Sequence, residues 1–89
     1  MSDLSYILTD RDVRQEFQFG DGYMARITMT SLPSGNNQAT LGVYNDEDGF
    51  LASQRIVIDP TKRTEVRQAT EDIHDKVVEE IIKHRNSNR

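Results

Sequence analysis

From Val13 onward apolar and polar positions alternate. Val13, Gln15, Phe17 and Phe19 fall on one side of an extended chain, and Arg14, Glu16 and Gln18 on the other. A period of two is the signature of a half-buried strand. Gly20-Asp21-Gly22 interrupts it, and a second alternating run covers residues 23–30. A three-residue loop, with Gly22 in the left-handed position of a bulge, joins the two runs into a hairpin. That register pairs Phe19 with Tyr23, Phe17 with Ala25 and Val13 with Met29, so both apolar sets share a face. A two-residue Asp-Gly turn would set the phenylalanines opposite Met24 and Arg26 and divide the core.

The pattern then repeats. Residues 31–37 hold Pro33, Gly35 and two asparagines, a loop. Residues 38–44 alternate with Ala39, Leu41 and Val43 on one face, and Asp48-Gly49-Phe50-Leu51-Ala52 echoes Asp21-Gly22-Tyr23-Met24-Ala25. A two-residue Asp48-Gly49 turn pairs Val43 with Gln54 and Leu41 with Ile56, and puts Phe50, Ala52 and Ile58 on the same apolar face. The fourth strand stops at Asp59-Pro60. Asp59 is suited to cap a helix and Pro60 to open one. Val66, Ala69, Ile73, Val77 and Ile81 recur every three or four residues, a core-facing helical stripe. Asp72/Lys76 and Glu79/Lys83 are spaced to pair along that helix.

The expected architecture is therefore α+β: a four-stranded antiparallel β-meander of two hairpins over residues 13–58, packed against one long C-terminal helix over residues 60–84. Residues 85–89 form a polar tail expected to fray. Residues 1–12 fit two descriptions. Leu4, Ile7 and Leu8 suit one helical face, and Tyr6-Ile7-Leu8 suits an edge strand.

Composition narrows the function classes. Eighty-nine residues make one domain, and so short a chain buries only roughly 60% of its unfolded surface, which favours oligomerisation. Cysteine is absent, which removes disulfides and thiol chemistry. The polar start Met1-Ser2-Asp3 is unlike a secretory leader, and the longest aliphatic run, Ile56-Val57-Ile58, is far too short to span a bilayer. The expectation is a soluble, cytoplasmic protein with no membrane partner. The net charge of −4 is uneven. Residues 1–59 carry four basic side chains against nine acidic ones, and residues 60–89 carry seven against six. Mild acidity runs against nonspecific binding to nucleic acid while leaving room for a local basic face.

The candidate chemistry is thin. His74 and His84 lie ten apart on one helix, too far to share a metal, and both read as surface or stripe-edge residues. Were Gly49 the glycine of a calcium loop, its first ligand would be Tyr44 and its last acid Arg55, so that motif fails. Gly20-Asp21-Gly22 lacks the lysine and third glycine of a phosphate loop. The expectation is no catalytic set, no metal site and no cofactor. Two features stand out from a solvated background. The sheet face turned away from the helix shows Arg14, Arg26, Tyr44 and Arg55, with Met24, Leu51 and Val57 among threonines, a candidate binding face. Val78 and Ile82 lie off the main helical stripe and suggest that the helix end touches the N-terminal segment or another subunit.

Phe17-Gln18-Phe19-Gly20, then Ile56-Val57-Ile58-Asp59-Pro60 leading into Val66, Asp72-Ile73 and Val77, resemble the ββββα single-stranded-DNA-binding domain of transcriptional coactivators of the positive-cofactor type. The resemblance implies a homodimer built through the helices, with curved sheets gripping single strands. The sequence departs from that family in lacking lysine-rich strands and the aromatic residues of a binding ridge. The reading placed first is a non-enzymatic module that regulates or inhibits a macromolecular partner through protein–protein contact, as an accessory protein of a phage or mobile element would. The alternative is a homodimeric single-stranded-DNA-binding transcription cofactor.

Overall fold

The computed structural model describes residues 14–87. Four strands run in chain order, β1 (Arg14–Gln18), β2 (Tyr23–Ser31), β3 (Asn37–Asn45) and β4 (Gly49–Ile58), followed by α1 (Arg63–Ser87). They form one antiparallel sheet of order β1-β2-β3-β4, the expected meander. Ala25, Ile27 and Met29 of β2 and Ala39, Leu41 and Val43 of β3 point to one face, where Val66, Ala69, Ile73 and Val77 of α1 close over them. Burying this stripe is what holds a 25-residue helix on the sheet, because helical propensity alone is weak.

The first hairpin takes the expected register. Phe17 pairs with Ala25, and the Phe19 amide donates to the Tyr23 carbonyl at 2.8 Å. The loop bends because Asp21 (φ 64°) and Gly22 (φ 81°) both adopt the left-handed conformation. The expected pairing of Val13 with Met29, and both readings of residues 1–12, lie outside the described residues.

The second hairpin differs from expectation. Asn45 pairs with Gly49, so the turn is Asp46-Glu47-Asp48 rather than Asp48-Gly49. The Asn45 side-chain oxygen accepts from the Glu47 amide at 3.0 Å and the Asp48 amide at 3.3 Å, which starts the turn two residues earlier. Val43 consequently pairs with Ala52 and Leu41 with Gln54. A bulge between these pairs and Tyr44–Phe50 leaves Leu51 as the extra residue. It reverses the facing of the strand tip. Leu51 turns inward against the core, and Phe50, expected inside, turns outward against Tyr44.

The helix begins at Arg63, not at Pro60. The Asp59 carboxylate accepts from the Thr61 amide (3.0 Å) and hydroxyl (2.7 Å), and the Lys62 amide returns to the Asp59 carbonyl, closing a separate turn first. Those hydrogen bonds from Thr61 hold the Asp59 carboxyl below its ordinary pKa. The helix continues to Ser87, into the part of the expected tail that the structure describes, and Arg85 there is anchored to Asp21 at 2.6 Å.

The expected Asp72/Lys76 and Glu79/Lys83 pairs are not the ones formed. Asp72 accepts from Gln68, while Lys76 (3.0 Å) and Lys83 (3.5 Å) converge on Glu80, which is buried on the helical stripe. The hydrogen bond from Lys76 holds Glu80 below the usual 4.5 and raises Lys76 above 10.5. A depressed acid stabilises the fold above its unfolded pKa and ceases to as pH falls through the folded value. A raised lysine contributes below 10.5 and loses that contribution as pH rises through its folded pKa. Stability should therefore hold through neutral pH, drop below about pH 4.5 and drop again above 10.5. Urea melts of Glu80→Gln across that range should show both losses shrinking relative to the unmodified chain.

Candidate binding surface

The outer face of the sheet is a grid set by the strand register. Arg14, Thr28, Thr40 and Arg55 form one row across all four strands, and Glu16, Arg26, Gly42 and Ser53 form the next. Gln18, Met24, Tyr44 and Phe50 form the third, nearest the hairpin tips. Alternation puts the residues of β1, β2 and β3 and Ser53 and Arg55 of β4 on this side, and the bulge at Leu51 turns Phe50 out to join them.

Gly42 shapes the middle of the grid. A Cβ there would come within 2.8 Å of the Tyr44 ring, so only glycine lets the ring lie back across the sheet toward the threonine row. The Arg26 guanidinium lies 5.3 Å from the centre of that ring, a cation–π distance. The Phe50 ring meets Tyr44 edge-on at 5.7 Å and 67°. Arg26 is held from its other side by Glu16 at 2.9 Å. Around the Tyr44 ring the surface dips into a shallow hollow bordered by Arg14, Arg26, Thr28, Thr40, Phe50 and Ser53. Phe50 is 59% exposed, the most exposed large apolar residue described. Three of the four expected face residues, Arg14, Arg26 and Tyr44, thus meet at one hollow. Arg55 ends the threonine row at the β4 edge, outside it. Phe50 was hidden from sequence reasoning by the bulge, and Leu51, expected on this face, is absent from it.

Val78 and Ile82 are 42% and 50% exposed. The helix lies over β3 and β4, which leaves its flank above β1 open. There an apolar groove runs between Phe17 and Phe19 of the first hairpin and Val77, Val78 and Ile81 of the helix. Ile82 continues the exposed apolar strip beyond it.

Neither histidine shares a site with the other. His74 is exposed and lies 3.7 Å from Asp75. Of the two expected descriptions, surface or stripe edge, His84 fits the second: it is half-buried. Its Nδ1 is 2.6 Å from the Tyr23 hydroxyl and its Nε2 2.5 Å from an Asp48 carboxylate oxygen, while its ring packs edge-on against Tyr23. With Arg85 on Asp21, the helix end is clamped to both hairpin tips at once. The sequence signal was present as charge: acidic tips at Asp21 and Asp48 face the basic last turn of the helix. The linked Tyr23, His84 and Asp48 run from a buried hydroxyl to an exposed carboxylate: Tyr23 is 3% exposed and the Asp48 side chain 52%. Among the described residues no group of three or more His, Asp or Glu side chains is placed to hold a metal ion. No helix among them is long and apolar enough to cross a membrane. In comparisons with known proteins, no family model, no curated protein and no solved structure matches this chain.

Proposed function

We propose that the chain is a small non-enzymatic binding module that regulates or inhibits a macromolecular partner through protein–protein contact, with the outer sheet face as its contact surface. The observation that supports this most is the Met24–Tyr44–Phe50 row: an exposed aromatic centre with arginines beside it, in the composition that protein interfaces favour. The core does not use Phe50, and water gains nothing from it. A second copy of the chain is also part of the proposal, docked through the strip of Phe19, Val78 and Ile82. That leaves the sheet faces of a dimer free for the partner, in the manner of an accessory protein of a phage or mobile element.

One observation favours a second reading. The outer face bears three arginines against only Glu16, although the chain as a whole is acidic. Tyr44 and Phe50 could stack bases while the arginines meet phosphates, as a homodimeric single-stranded-DNA-binding cofactor requires. Three arginines, one of them already paired, supply few phosphate contacts, so this reading ranks second.

The test is capture from a cell lysate on immobilised full-length chain, with Tyr44→Ala and Phe50→Ala together as the comparison. The expected result is a protein retained by the unmodified chain and lost from the double variant, with both melting alike. Retention by both would remove the outer face from the proposal. Tight binding of a short single-stranded oligonucleotide at physiological salt, weakening steeply as salt rises, would promote the second reading.

A further inference from the structure

Charge is distributed unequally between the outer face and the rest of the described surface. The hairpin tips present Asp21, Asp46, Glu47 and Asp48, and α1 mixes both signs. On the outer face Glu16 is spent on Arg26. Arg14 and Arg55 make no ion pair among the described residues, and they stand at the two ends of one row with only Thr28 and Thr40 between them. Two unopposed guanidinium groups on one face, separated by hydroxyls, are placed to receive carboxylates, to which arginine can donate two parallel hydrogen bonds. Gly42, one row away, and the Tyr44 ring that reclines over it from the row beyond set an apolar seat, closed on its far side by Phe50.

We infer that the segment of the partner docking here is acidic: an extended stretch lying across the strands, with carboxylates that meet Arg14 and Arg55 and an apolar or aromatic side chain seated on Tyr44 and Phe50. This rests on the outer face being the contact surface, as proposed above. The spacing follows from the sheet. Three strand separations place the two arginines about 14 Å apart at the backbone, and an extended peptide covers that in about four residues. The segment is therefore expected to carry Asp or Glu at positions four apart, with the apolar anchor near the middle. The arginines would speed encounter and set the register, while the aromatic seat slows release.

Short random peptides displayed on phage and selected against the immobilised full-length chain test this. Selected sequences should be enriched in Asp and Glu around an aromatic or aliphatic residue. Their binding should weaken roughly tenfold with Arg14→Ala or Arg55→Ala, recover in part with Arg→Lys, weaken at high salt, and stay unchanged with Arg67→Ala on the helix. Peptides that lose binding with Tyr44→Ala and Phe50→Ala, yet show no acidic enrichment and ignore both arginine changes, would overturn the acidic segment and leave the contact surface standing. Selected peptides indifferent to Tyr44 and Phe50 as well would overturn both. Displacement of no peptide but tight binding of an oligothymidylate through the same arginines would assign the face to nucleic acid instead.

Discussion

Ile73→Ala is expected to destabilise the protein by about 2–5 kcal/mol. Ile73 is 2% exposed and sits at the centre of the helical stripe, between Ala69 and Val77 and above the β2–β3 core. Removing its branched side chain loses the transfer free energy of the buried carbons and leaves a cavity, because the strands beneath cannot follow the helix inward without breaking their ladders. A domain of this size holds only about 5–15 kcal/mol in all. Each kcal/mol lost should lower the melting midpoint by roughly 4–8 °C. Denaturant melts followed by circular dichroism provide the measurement, with Arg67→Ala as the control. Arg67 lies on the same helix but in solvent, away from the Val78–Ile82 flank, and its truncation should stay within about 0.5 kcal/mol. A loss well under 1 kcal/mol for Ile73→Ala would contradict a helix that caps the sheet.

The second large effect is on assembly. Light scattering should return a mass near twice 10.2 kDa, and Val78→Glu with Ile82→Glu should bring it to that of a single chain. Both side chains are exposed in one copy, so the substitutions leave the monomer's core untouched. In a dimer packed through the Phe19–Val78–Ile82 strip they would bury two carboxylates per copy against apolar partners, at a cost of several kcal/mol. That weakens association roughly a hundredfold or more. The helical signal and the per-chain melting behaviour of the double variant should match those of an isolated, folded monomer. An unmodified chain that remains monomeric at high micromolar concentration would contradict the proposed dimer and return Val78 and Ile82 to contacts within the chain.

Much of the fold was legible because two periodicities do not compete here. Val66, Ala69, Ile73 and Val77 follow the helical period without interruption, and the strands of the first hairpin offer only one register that keeps Phe17, Ala25 and Ile27 together. The second hairpin failed at a specific point. Asp48-Gly49 carries a strong turn signal, but the turn is decided by the Asn45 side chain, whose two hydrogen bonds to the following amides no hydrophobic pattern encodes. The bulge that absorbs the difference at Leu51 then inverts Phe50.

The candidate face was legible in the same measure. Arg14, Arg26 and Tyr44 follow from alternation, since each is an odd step from a core residue on its strand. Phe50 does not, because a bulge breaks the parity that alternation relies on. The role of Gly42 was hidden for another reason. Nothing in a strand pattern says that the ring two residues later will fold back over it. The surroundings of Glu80 and His84 were not legible because each is polar on a stripe otherwise apolar. Their burial depends on partners that only the folded chain supplies: Lys76 and Lys83 for Glu80, and Tyr23 with Asp48 for His84. The helix start at Arg63 was displaced by the Asp59–Thr61 turn, a local competition that capping preferences alone cannot resolve.

The central claim is that the outer sheet face is the working surface. It is tested most directly by amide and side-chain chemical shifts of the full-length chain, recorded with and without the partner captured from lysate. The account predicts shifts concentrated at Arg14, Arg26, Thr28, Thr40, Tyr44 and Phe50, with the helix flank at Val78 and Ile82 unmoved. Shifts confined to that flank, with Tyr44 and Phe50 unmoved, would contradict it.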